Sequence, residues 1–163
     1  MRIKWFSLIR ITGLLLVLLY HFFQTIFPGG FFGVDVFFTF SGFLITALLI
    51  EEFSKNHEID LVGFFRRRFY RIVPPVVLMV LVTMPFTFLV RQDYVAGIGG
   101  QIAGVLGFMT NFYEILTGGS YESQFIPHLF VHNWSLAVEV HYYILWGLAV
   151  WFLSKQSRSC LLY

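Results

Sequence analysis

The stretch LIRITGLLLVLLYHFFQTIF, residues 8–27, decides the fold class of this protein. Its 20 residues are about the number that an α-helix needs to cross the hydrocarbon core of a bilayer. Arg10 and His21 interrupt the apolar run, although ionisable side chains at such positions are costly and usually functional. No small-residue cleavage site follows the stretch, so we interpret it as a retained transmembrane helix and not as a signal peptide.

The composition of the whole chain is that of a membrane protein. Of its 163 residues, 58% are hydrophobic and 12% are charged, against roughly half and a quarter in soluble domains. Most lysines and arginines flank apolar segments instead of forming one solvated basic face, which argues against a nucleic-acid partner. The single cysteine, Cys160, excludes an internal disulfide and a thiolate metal cluster, and we expect no metal site.

Four segments have the length and polarity of transmembrane helices. They are Leu8–Phe27, Phe31–Ile50, Ile72–Val90 and Trp134–Leu153. The sequence therefore predicts an all-α, polytopic transmembrane bundle in residues 1–153, followed by a disordered tail at 154–163. Between the second and third spans, the amphipathic run Ile59–Phe69 predicts a helix along the membrane surface. Pro74 and Pro75 predict a rigid start for the third helix.

The segment Val95–Met109 is ambiguous, because it is apolar but only 15 residues long and contains five glycines. If it does not cross the membrane, ten of the eleven Lys and Arg residues fall on one side, with only Arg91 opposite. A fifth crossing would divide them. The positive-inside rule therefore favours four crossings, a cytoplasmic N-terminus, residues 91–133 outside, and a re-entrant or interfacial segment at 95–109.

The first and fourth predicted spans carry ionisable residues. Arg10 and His21 are eleven residues apart, three helical turns plus roughly 20°, so they share one face about 16 Å apart. Glu139 lies in the outer half at a depth comparable to that of His21, and a Glu and His pair is a general base with its orienting group. The alternatives are structural: Arg10 as a snorkelling cation, and His21 as a histidine bonded to another helix. Ser135, Glu139, Tyr142 and Trp146 share one helical face.

Small and polar residues also form a stripe on the second predicted span. Small residues in such a stripe usually indicate close helix packing, which is our interpretation of Ser41 and Gly42. Asp35 lies near the outer end of the helix, where helix capping and a functional role are both open. The stripe comprises Asp35, Thr39, Gly42 and Thr46.

Four arginines crowd the polar loop before the third span: Arg66, Arg67, Arg68 and Arg71. One interpretation is a topology signal or a lipid-headgroup patch. The functional interpretation is recognition of a phosphorylated cytosolic ligand, because guanidinium groups bind phosphate oxygens bidentately.

In order and spacing, four sequence elements resemble acyltransferase family 3, a family of polytopic membrane enzymes, and in particular the peptidoglycan O-acetyltransferases of Gram-positive bacteria. The elements are RITGLLLVLLYH (10–21), FFGVDVFFTFSGFLIT (31–46), RRFYR (67–71) and HNWSLAVEVHYYILW (132–146). Two departures are Val140, where the family often has a second acid, and Gly147, where it often has proline. The family has more spans than this chain contains, so the resemblance implies an N-terminal portion whose partners include further helices.

The resemblance also implies a reaction and its residues. An acyl group, most simply acetyl from acetyl-coenzyme A, would pass from the cytoplasmic face to a hydroxyl of an envelope glycan such as peptidoglycan, across a bacterial plasma membrane. His21, Glu139 and Arg10 would be catalytic. The donor phosphates would be bound by Arg67, Arg68 and Arg71, whereas Asp35, Ser41, Ser135 and Tyr143 would support the site. Membrane lipid and the glycan acceptor are the expected partners.

Two other functions are compatible with the residues alone. A portion of a transporter or flippase would also place Arg10, His21, Asp35 and Glu139 along a polar pathway through the helices. A fragment without activity would only pack against a membrane partner. Turnover of an acyl donor distinguishes the enzyme from both alternatives.

Overall fold

The structure, a computed structural model, describes residues 4–23, 25–89, 95–117 and 128–161. This described part is mostly helical and contains no strand, so the all-α prediction is confirmed. Its α-helices are α1 (Lys4–Phe22), α2 (Gly33–Asn56), α3 (Leu61–Phe86), α4 (Ile98–Leu106), α5 (Thr110–Leu116) and α6 (Trp134–Leu161). Short 3₁₀ turns occupy Pro28–Phe32, Thr87–Leu89 and Val131–Asn133.

Within the described residues, three helical segments are long and apolar enough to cross a membrane: Pro28–Asn56, Leu61–Phe86 and Val131–Gln156. They overlap the second, third and fourth predicted spans. The helix α1 is 19 residues long, about 28 Å at 1.5 Å per residue, but its apolar stretch covers only Ile11–Phe22. A crossing by α1 therefore stays a prediction.

The third helix begins earlier than the sequence predicted. The Asp60 side chain caps it, since its Oδ1 accepts a hydrogen bond of 2.9 Å from the backbone N–H of Gly63. From there α3 continues through Pro74 and Pro75 to Phe86. The predictions of a separate surface helix and of a proline-defined helix start were therefore wrong. Proline fixes φ near a helical value and removes one hydrogen bond, a loss that transmembrane helices tolerate.

The ambiguous segment folds as two short helices. The nine-residue α4 is about 14 Å long, well below the thickness of the hydrocarbon core, so it cannot cross the membrane as one helix. The chain reverses at Phe108, which has a positive φ of 53°, and the Met109 N–H donates to the Gly104 carbonyl over 2.7 Å. This geometry argues against a fifth crossing by this segment, and the total number of crossings stays a prediction.

The last helix is longer than predicted, because α6 continues to Leu161 through most of the segment expected to be a disordered tail. Residues 148–161 contain neither glycine nor proline, so nothing in the sequence interrupts the helix. The Lys155 ammonium also lies 4.1 Å from the centroid of the Trp151 ring, one turn earlier, which favours a helical backbone there.

The chain divides into two compact units, residues 1–59 and 60–163. In the first unit, α1 packs against the Pro28–Phe32 turn and the start of α2, and glycines allow close backbone approach. A Cβ on Gly33 would lie 2.5 Å from the Gly13 carbonyl oxygen and 2.8 Å from Val17 Cγ2. In the second unit, a core joins α3, α4 and the segment before α6 through Val76, Val80, Val105 and Phe130.

This glycine contact gives a first prediction. Gly33→Ala should destabilise the first unit by about 1–3 kcal/mol, because the new methyl group meets backbone that cannot move aside cheaply. Gly29→Ala is the matched control, since no atom lies within 4 Å of its Cβ position. Unfolding of both variants in mixed micelles, titrated with a denaturing detergent, measures the difference. Equal midpoints for the two variants would show that the contact does not hold α1 against α2.

Candidate active site

His21 lies in the last turn of α1 with an exposed side chain. Its Nδ1 is 2.8 Å from the carbonyl oxygen of Val17. Because a carbonyl only accepts, Nδ1 carries the proton, and the neutral ring therefore holds its lone pair on Nε2. The Tyr20 ring contacts the imidazole edge to face, with centroids 5.6 Å apart. This is the tautomer that a nucleophile or general base requires.

Arg10 is the other predicted residue of α1. The helix is continuous from Lys4 to Phe22, so Arg10 and His21 do belong to one helix. The side chain of Arg10 lies outside the described residues, and its role stays a prediction.

The predicted donor-binding arginines lie in the first three turns of α3. Arg67 and Arg71 are one turn apart and exposed. Arg68, one position further along the helix than Arg67, is half-buried and faces α6. Its guanidinium carbon lies 5.5 Å from the Phe64 ring centroid and 5.3 Å from that of Tyr143. The arginines thus divide into an exposed pair and a single cation held between aromatic rings.

Glu139 and Tyr143 lie one turn apart on α6. The Tyr143 hydroxyl donates a short hydrogen bond to the Glu139 carboxylate. Since the guanidinium of Arg68 contacts the same tyrosine ring, the three residues form a connected set, the Arg68–Tyr143–Glu139 chain. The sequence had placed the arginines at the cytoplasmic edge and Glu139 in the outer half of the bundle. The structure instead brings both residues to one tyrosine, with Arg68 over the ring of Tyr143 and Glu139 at its hydroxyl.

A cavity of about 650 Å³ opens beside the Arg68–Tyr143–Glu139 chain. Arg66 and Arg68 border the cavity, Tyr143 supplies an aromatic wall, and nearly all of the lining surface is apolar. Arg66 was not among the predicted donor-binding residues. The remaining lining residues are Val62, Phe65, Phe69, Ile72, Val73, Phe108, Val140 and Ile144. An apolar cavity with a few charged groups is the usual form of a small-molecule site.

Three residues were predicted to support the site from elsewhere. Asp35 is exposed in the first turn of α2, where a carboxylate is favoured by the helix dipole. Ser41 is buried at 8% exposure, as expected for a residue at a close helix contact. The Ser135 hydroxyl donates to the His132 carbonyl over 3.4 Å. None of the three lines the cavity.

The predicted pairing of His21 with Glu139 stays a prediction, since the two residues belong to different compact units. A second histidine and carboxylate pair escaped the sequence analysis altogether. His128 Nδ1 lies 2.9 and 2.8 Å from the two carboxylate oxygens of Glu114, and each side chain is only 9% exposed. The two residues are 14 positions apart in a segment without regular spacing, so only their polarity within an apolar chain could have indicated them.

A comparison with known families decides the classification. The family described as acyltransferase domain matches residues 3–163, nearly the whole chain. The chain belongs to acyltransferase family 3. The family match includes the whole of the Arg68–Tyr143–Glu139 chain and His21, so the resemblance inferred from the four sequence elements is confirmed.

Individual relatives agree with this family. The chain is 33% identical over 150 residues to the O-acetyltransferase OatA of Staphylococcus aureus strain NCTC 8325, covering 92% of this chain and 25% of that protein. It is 34% identical over 136 residues to a second protein, from S. aureus strain COL, named as a candidate O-acetyltransferase, covering 83% and 22%. The chain thus spans about a quarter of the length of these relatives. No solved structure matches it.

Proposed function

We propose that the protein acts in membrane O-acetyl transfer, from acetyl-coenzyme A at the cytoplasmic face to a hydroxyl of an envelope glycan such as peptidoglycan. The bacterial plasma membrane, with the N-terminus in the cytoplasm, is the proposed location. The observation that carries the proposal is the Arg68–Tyr143–Glu139 chain beside an apolar cavity. Family membership and the name of the relative OatA support the reaction type.

Donor binding would use the two kinds of arginine differently. Exposed Arg67 and Arg71 are one turn apart and suit the phosphates of the coenzyme, which stay hydrated. Arg68 would bind the phosphate nearest the thioester arm, since it is held on the Phe64 and Tyr143 rings at the cavity, where its charge is less screened by water. The cavity would receive the less polar arm that carries the thioester. The donor is thereby oriented with its charged end at the exposed arginines.

Acyl transfer would depend on His21. Its Nε2 lone pair attacks the thioester carbonyl carbon, or takes the proton of the acceptor hydroxyl that does so, and the thiolate leaves. Glu139 would orient the imidazole and stabilise its positive form. Arg10 would steady the donor or the negative charge that develops on the carbonyl oxygen.

Donor turnover by the purified chain in lipid nanodiscs, with acetyl-coenzyme A, tests the proposal. Arg68→Gln should raise KM for the donor about 10- to 100-fold, because a charge-assisted contact worth about 1.5–3 kcal/mol is lost. Lys155→Gln is the control, since it also removes a cation from an aromatic ring of this unit but away from the cavity. Equal KM values for the two variants would contradict the assignment. Solute transport without thioester cleavage would favour a transporter.

A further inference from the structure

The two long helices of the second unit, α3 and α6, pack in an antiparallel arrangement, and contacts at two levels fix their register. Near the start of α3, a Cβ on Gly147 would lie 3.1 Å from Cε1 of Phe64. Farther along α3, Sδ of Met79 lies 3.9 Å from Nδ2 of Asn133, near the start of α6. Each step forward along α3 therefore corresponds to about one residue back along α6.

This register places the arginines of α3 beside the apolar middle of α6. The guanidinium group of Arg68 lies over the ring of Tyr143, and by the same register Arg66 is level with Leu145. In α6, residues 140–154 contain no Asp, Glu, Lys or Arg. Such a stretch is typical of the membrane interior, so the arginines lie alongside a part of α6 that belongs in the bilayer.

The cytoplasmic surface of the membrane has two possible positions on this helix pair. If it lay beyond Arg71, as the sequence predicted, only residues 134–139 of α6 would be inside, about 9 Å of helix. The apolar residues 140–154 would then extend into the cytoplasm. If the surface lies at Asp60, which caps α3, the apolar span Leu61–Phe86 begins there and the apolar part of α6 is inside as well. Only the second position keeps both apolar segments out of water.

In this second position the arginines are inside the membrane. Measured along α3 from Asp60, Arg66 is about 9 Å and Arg71 about 16 Å from the capped end. Arginines inside a membrane are costly, and almost always face the protein interior or a water-filled cavity. The cavity that Arg66 borders extends along α3 from Val62 to Val73, roughly 16 Å. It therefore has the position and the length of a recess that leads to the arginines.

We propose that the arginines of α3 lie within the thickness of the membrane, at a water-accessible recess that opens at the cytoplasmic end of α3 and α6. The recess admits a cytosolic anion, such as the phosphate groups of a nucleotide, to a depth of about 9–16 Å. A group carried by that anion then has less of the bilayer left to cross. The inference concerns the position of the site in the membrane and goes beyond the proposed function, because it does not depend on which donor binds.

Thiol modification of the chain in nanodiscs tests this position. Cys160→Ser removes the single cysteine. In that background, Arg66→Cys and Leu145→Cys place thiols at one level of the helix pair, the first at the cavity and the second on an exposed face of α6. Sulfonatoethyl methanethiosulfonate, an anion that does not enter lipid, should modify Arg66→Cys at least about tenfold faster than Leu145→Cys, because only a hydrated thiol ionises. Lys155→Cys, near the cytoplasmic end of α6, is the positive control.

Two outcomes would overturn the inference. Equally rapid modification of Arg66→Cys and Leu145→Cys would place this level of the helices in the cytoplasm, and modification of neither would show that no water reaches the arginines. A nitroxide on Leu145→Cys measures depth independently: collisions with oxygen should outnumber those with a water-soluble nickel chelate, and the reverse should hold on Lys155→Cys. The same preference at both positions would contradict the proposed depth. Neither measurement uses acetyl-coenzyme A, so donor turnover tests the proposed function separately.

Discussion

His21→Ala should reduce turnover of acetyl-coenzyme A by at least about 100-fold, the range expected for loss of a general base or nucleophile. The backbone contact at Nδ1 prepares the neutral ring for this role, with the lone pair on Nε2. KM for the donor should change little, since the arginines bind it.

His57→Asn is the matched control for this variant. His57 is exposed at the end of α2 with a left-handed backbone, φ 53°, a conformation that asparagine adopts readily. Its substitution should leave turnover within a factor of two. Retention of most activity in His21→Ala would remove His21 from the reaction.

Glu139→Gln should lower turnover about 100-fold as well, because the amide cannot stabilise a positively charged imidazole. A double-mutant cycle then tests the pairing that sequence analysis predicted across the two units. If Glu139 acts through His21, the double variant should be little worse than His21→Ala alone. Effects that multiply would show that the two residues act separately.

Two further variants locate the effect of Glu139. Tyr143→Phe removes the hydroxyl that bonds the carboxylate and keeps the ring against Arg68; it should reduce turnover by less than Glu139→Gln. Glu51→Gln is the control, since it breaks an exposed ion pair of 2.6 Å with Lys55, a contact of small energetic value at a surface. A loss of turnover in Glu51→Gln equal to that in Glu139→Gln would point to a general charge effect.

The bundle was predictable from sequence because a bilayer imposes a simple length and polarity on each span. The boundaries of α3 were not predictable. Proline is common at the start of a helix, but it is also tolerated inside a long transmembrane helix, and the sequence does not distinguish the two cases. The start of α3 is fixed by Asp60, whose side chain caps the helix by accepting from the N–H of Gly63, three residues later. The extension of α6 to Leu161 was missed because polar residues after Leu153 end the apolar pattern but do not end the helix.

The candidate site was predictable residue by residue but not as an arrangement. The sequence motifs identified Arg68, Glu139 and Tyr143 as site residues. They did not indicate that Arg68 lies against the Tyr143 ring or that the Tyr143 hydroxyl bonds Glu139. Arg66 belongs to the predicted arginine cluster but not to the RRFYR motif at 67–71, and the structure places it at the cavity. Glu114 and His128 were missed because they are 14 residues apart and no helical period connects them.

The prolines within α3 have a mechanical consequence. Pro74 and Pro75 have no N–H to donate to the carbonyls of Tyr70 and Arg71, so two successive backbone hydrogen bonds of the helix are missing just beyond the arginines. Helices bend most readily at such positions, while the helical segments on either side stay regular. Ile72 lies directly before this point in the helix, where it lines the cavity and also packs against the core around Val76 and Val80, so any bend of α3 at the prolines is transmitted to both.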